Sequence, residues 1–143
     1  QKLWTRYRSF NVATHKQTHR CIYAEVRGIS TDEYVYLQHY EVGHSWMSHH
    51  YYAKLIDQTK GSTGPIMRVS TQRGMQGVDY TLRFWNPTEH CAIFTRPYSG
   101  HIRCEMHVWD DHVAGHVPQC QMAYKRHCSG QPQYAIYTRH CHP

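Results

Sequence analysis

Cys120 and Cys128 lie in a stretch that reads as the chain's one helix, and their spacing there forbids a bond between them. Pro118 suits the first helical position and Gly130 the residue past the end. Cys120, Tyr124 and Cys128 then fall at i, i+4 and i+8, on one stripe. That interval rises about 12 Å, whereas bridged cysteines hold their Cα atoms within about 7 Å. Both must therefore reach whatever the helix lies against. The nearest candidates in the chain are Cys91 and Cys104, at the starts of two alternating runs, residues 91–96 and 103–109.

That inference assigns faces. If the helix packs outside a sheet, Cys91 and Cys104 point outward, and side chains alternate along a strand. Ala92 and Phe94 then point inward from one strand, and Glu105, His107 and Trp109 from the next. Residues 20–26, 34–42, 46–55, 66–69 and 78–85 alternate in the same way or are rich in β-branched and aromatic residues. Turn residues punctuate the chain at 60–65, 74–77, 86–89 and 97–100. Eight or nine short strands at near-regular spacing predict an all-β antiparallel meander closed as a barrel, with one helix outside it. Residues 1–10 read differently, because Trp4, Tyr7 and Phe10 stand at helical spacing and suggest a short helical turn.

The 143 residues are enough for one domain with a real core. Six cysteines in a small basic chain of net charge +6 point to three disulfides and an oxidising, extracellular compartment. Secretion would make Gln1 the mature end left by signal cleavage. No apolar run long enough to span a membrane is present.

From residue 78 onward the chain resembles the tick salivary lipocalins of the histamine-binding-protein family. The family pattern of a Cys-Asp-aliphatic triplet, a spacer, Glu-Leu-Trp or Glu-Leu-Tyr, and a further Cys is met by Cys91-Ala92-Ile93, Glu105-Met106-His107 and Cys120. Pro118-Gln119-Cys120 is similar to the family's helix start, and residues 137–141 to its Tyr-to-Cys ending. Ala92 stands in place of the family's Asp and His107 in place of its aromatic residue. The resemblance implies an eight-stranded antiparallel lipocalin barrel over residues 1–143. With the helical stripe it also implies the pairing Cys21–Cys141, Cys91–Cys120 and Cys104–Cys128, one of 15 possible. It further implies a monomeric, non-enzymatic scavenger that takes a host amine, histamine or serotonin, into the barrel and so suppresses inflammation and haemostasis. The alternative within the family is a lipid mediator such as a leukotriene or thromboxane.

A protonated amine in a dry cavity needs a carboxylate, since an unpaired buried charge is very costly. Glu105 is the first candidate, by strand parity and by family position, with His107 and Phe94 beside it. Asp79, in the preceding strand, is the second; the opposite parity would turn Val78, Tyr80, Leu82 and Phe84 inward and leave it solvated. Glu33 resembles a third family acid, and Tyr36 replaces it if the parity is reversed. Arg83, on the face of Asp79, together with His107 would suit a carboxylated lipid instead.

Other classes are less well supported. His49-His50, His112 with His116, and His140 with His142 are close pairs, but none brings a spaced third ligand, so no metal or cofactor is expected. Lys and Arg form no run longer than the pair Lys125-Arg126, which argues against nucleic acid. Nothing matches the two-histidine-and-lysine constellation of a ribonuclease.

Overall fold

The structure is a computed structural model that describes residues 1–30, 33–56, 64–73 and 75–142. The barrel strands are β1 (Leu3–Arg8), β3 (Gln17–Ile29), β4 (Glu33–Val42), β5 (Ser45–Ile56), β6 (Ile66–Ser70), β7 (Val78–Asn86), β8 (Cys91–Tyr98) and β9 (His101–Trp109). Two-residue strands β2 (Ala13–Thr14) and β10 (Tyr134–Ala135) pair at the margins, and α1 (Pro118–His127) follows β9. From β3 to β9 each strand pairs antiparallel with the next, and β1 closes the ring by pairing with both β9 and β3. The result is a closed antiparallel barrel with an outer helix, as the spacing predicts, and its eight strands are those the family resemblance implies. Most of the loop expected at 60–65 lies outside the described residues, as does Gly74 of the turn expected at 74–77.

The first ten residues depart from expectation. Residues 3–8 form a strand, not a helical turn, because a bulge between Thr5 and Tyr7 adds one residue to β1. Trp4 therefore opposes Val108 and Tyr7 opposes Met106, on the same face although three residues apart. A bulged strand imitates the helical period over so short a stretch. Thr5 and Arg8 oppose His107 and Glu105 on the other face.

The packed core lies between the barrel wall and α1, not inside the barrel. Ile93, Met106 and Val108 from the outer faces of β8 and β9 meet Val117, Ala123 and Tyr124, all at most 5% exposed. Cys91 bonds Cys120 and Cys104 bonds Cys128, with Cα atoms 6.4 and 6.2 Å apart, so the stripe on α1 is fastened at both ends. Cys21 bonds Cys141 and holds the C-terminal segment against Trp4, whose ring meets Tyr137 at 5.1 Å. The helix start is capped from another element. Glu89, in the turn before β8, accepts hydrogen bonds from the amides of Gln119 and Cys120 at 3.0 and 3.1 Å. A carboxylate there satisfies two unpaired donors and meets the positive end of the helix dipole. Gly130, at φ +77°, turns the chain away after α1 in a backbone region that suits glycine.

Candidate ligand-binding site

With the outer faces of β8 and β9 committed to α1, the alternate residues face the barrel interior. Glu105 and Phe94 are direct partners across β8 and β9, as are Ala92 and His107. Glu105 is 3% exposed. His107 Nε2 lies 2.8 Å from its Oε1, and Arg8 Nε lies 3.4 Å from its Oε2. Burial pushes the carboxyl up, but Arg8, the His107 hydrogen bond and Arg96 outweigh it and bring Glu105 down to about 2. The carboxylate is thus ionised and already flanked by positive or donating groups. Oε2 still has no hydrogen-bond partner, and neither has the buried Nε of Arg8 or of Arg96. Phe94 tilts against His107 with ring centroids 5.0 Å apart.

Above this layer opens a cavity of about 450 Å³. Its lining includes Arg8, Phe10, Tyr36, Tyr51, Tyr80 and Arg96, together with His19, Tyr40 and His49. Burial first, and neighbouring tyrosines and Glu105 next, push the phenols of Tyr36 and Tyr80 well above their ordinary value. These hydroxyls stay neutral and serve as donors or acceptors. Three guanidinium groups surround the ring of Phe10: Arg8 at 4.9 Å, Arg96 at 5.0 Å and Arg103 at 4.4 Å. Burial, then Arg8 and His49, hold His19 below its ordinary value. Gly77 also lines the cavity, and a Cβ there would strike the Val69 carbonyl, so only glycine lets the two backbones approach.

Two predicted acids are elsewhere. Asp79 stands on the outer face between Val78 and Tyr80, which line the cavity; it takes a two-pronged contact from Arg68 at 2.7 and 3.0 Å. The register of β6 with β7 sets Arg68 directly opposite it, so the reversed parity holds at this end of β7. Glu33 also faces outward and pairs with Arg73 at 3.1 Å, while Tyr36 takes the inward position. Arg83 leaves the cavity as well: at a bulge in β7 it donates to Thr95 Oγ1 at 2.8 Å. Trp109 ends β9 against His90 rather than in the interior.

The cavity's arginines, Arg8 and Arg96, were not singled out from sequence. Arg96 follows Ala92 and Phe94 in strict alternation, so the parity argument extended by one step finds it. Arg8 was concealed by the bulge in β1.

A closed antiparallel barrel with a partly polar cavity and an outer helix fastened by disulfides defines a small-ligand-binding protein of lipocalin type. The tick histamine binding protein family model matches residues 1–143, and the chain belongs to that family. In fold it is similar to Japanin from Rhipicephalus appendiculatus, solved bound to cholesterol: TM-score 0.67 and 12% identity, covering 97% of this chain and 94% of that one. None of the curated proteins matches the chain in sequence.

Proposed function

We propose that this protein is a secreted scavenger that holds a carboxylated lipid mediator of the host in its barrel, the ligand's acid meeting Arg96 and its chain lying against Phe10, Tyr36 and Tyr80. The observation that carries this reading is the charge balance of the cavity. Its described lining carries Arg8 and Arg96 and no carboxylate; the adjoining buried Glu105 already has Arg8 and His107 beside it. A ligand carboxylate meeting the guanidinium of Arg96, which lines the cavity, gains a charge-assisted hydrogen bond. An arriving ammonium must compete with Arg8 for Glu105. A volume of about 450 Å³ is also in the range of drug-sized ligands, and Japanin was solved with a sterol.

A biogenic amine is the second reading, supported by the ionised Glu105 carboxylate next to the cavity and by the tyrosine walls, which would add cation–π attraction. Calorimetry separates the two, and it suits this chain better than indole emission, since the described cavity lining includes no tryptophan. A leukotriene is expected to bind with measurable heat, and Arg96→Met to weaken it more than tenfold, about 1.4 kcal/mol or more. Heat from histamine or serotonin but none from the leukotriene would establish the amine reading instead.

A further inference from the structure

Outside the barrel, the fold completes a constellation that adjacent residues could not. His112 and His116 lack a third ligand in sequence. In the structure the β7–β8 turn brings His90 to Asp111 and His112 in the segment after β9. His90 Nδ1 lies 2.9 and 3.2 Å from the two carboxylate oxygens of Asp111, and His112 Nδ1 lies 3.1 Å from Oδ1. The ligand atoms of all three residues fall within 4.8 Å of one another. The two imidazoles stand edge to face, centroids 6.0 Å apart at 89°, with both Nδ1 atoms directed at the same carboxylate. His112 Nδ1 is buried and makes no well-directed hydrogen bond.

We propose that His90, Asp111 and His112 form a binding site for one borderline divalent transition ion, Zn²⁺ or Cu²⁺, on the outside of the barrel. Two imidazole nitrogens and one carboxylate oxygen suit such ions, whereas Ca²⁺ and Mg²⁺ favour all-oxygen sets. Bonds of about 2.0–2.1 Å in tetrahedral geometry put neighbouring donor atoms about 3.4 Å apart. The His–Asp contacts would open by a few tenths of an ångström, and the ligand atoms of His90 and His112, within 4.8 Å of each other, would settle to the same spacing. Each ring would carry its remaining proton on Nε2 and turn the Nδ1 lone pair to the ion, leaving a fourth position to water.

The supporting shell is already rigid. Asn86 Oδ1 accepts from the amides of Thr88 and Glu89 and shapes the turn that carries His90. The Trp109 amide donates to the His90 carbonyl at 3.0 Å, and the His112 amide to the Trp109 carbonyl at 2.9 Å. The His90 ring also stacks on Trp109 at 5.1 Å. An ion there would clip the β7–β8 turn, which caps α1 through Glu89, to the segment leading into that helix.

The test uses the full oxidised chain, dialysed against chelator. ZnCl₂ in calorimetry is expected to bind at one equivalent, and CuCl₂ to quench tryptophan emission because Trp109 lies against His90. Asp111→Asn and His112→Gln should each weaken Zn²⁺ at least tenfold, with unchanged melting in chelator showing that both variants fold. His116→Gln and the distant His101→Gln should bind as wild type. Wild-type affinity in either ligand variant, or loss of affinity in His116→Gln, would overturn the assignment.

Discussion

Arg8 and Glu105 face each other across β1 and β9 as a buried pair, Nε to Oε2 3.4 Å, each at most 8% exposed. Breaking such a pair leaves a buried charge without its counter-charge, and that loss typically costs about 3–5 kcal/mol. Glu105→Gln is therefore expected to lower the unfolding free energy by several kcal/mol at neutral pH, read from denaturant midpoints.

The same carboxyl makes stability depend on acid. Its folded-state value, about 2, lies below the ordinary 4.5. Its contribution is therefore present above about pH 4.5 and is lost as pH falls toward about 2, in total about 3 kcal/mol. Wild type should lose stability through that window, and Glu105→Gln should lose correspondingly less. Parallel slopes in the two proteins would show that the pair does not hold the carboxyl down.

Glu89 caps a helix to which it is remote in sequence. Glu89→Gln removes the charge and weakens both amide contacts, so a loss of about 1 kcal/mol is expected. Amide exchange at Gln119 and Cys120 should quicken more than exchange in β8. Equal effects in both places would mean that the substitution acts on the barrel and not on the helix start.

The Cys91–Cys120 bond closes a long loop and fastens the N-terminal end of α1. Replacing both cysteines by alanine should cost about 3–4 kcal/mol in the chain-entropy model. The variant should keep its far-ultraviolet β-sheet signal at room temperature, because Cys104–Cys128 still pins the other end of the helix.

Asp79 provides the contrasting acid. Its contact with Arg68 is exposed to solvent, and such pairs contribute about 0–1 kcal/mol. Asp79→Asn should change stability by less than 1 kcal/mol and leave cavity affinity, measured by calorimetry, within about twofold of wild type. A larger loss of affinity would bring Asp79 back into the binding site.

The strand pattern, the outer helix and the inward facing of Glu105 and His107 were legible in the sequence. Each follows from local periodicity: alternation along a strand, and a cysteine stripe on a helix whose ends are marked by Pro118 and Gly130. The disulfide pairing was legible once the family resemblance joined that stripe, because two cysteines on one helix face can only bond outward.

What escaped was whatever depends on a break in period or on two distant segments meeting. The bulge in β1 shifts Arg8 to the interior face while its spacing mimics a helix. The registers of β6 with β7 and the outward parity of β4 at Glu33 give Asp79 and Glu33 arginine partners outside the cavity. Closure of β1 onto β9 sets Arg8 against Glu105, and the β7–β8 turn carries His90 to Asp111 and His112. Alternation is a property of neighbouring residues and can be read along the chain. Register and ring closure are set by which hydrogen-bonded pairings the whole sheet can satisfy at once, so the charges inside this barrel were decided only by its tertiary structure.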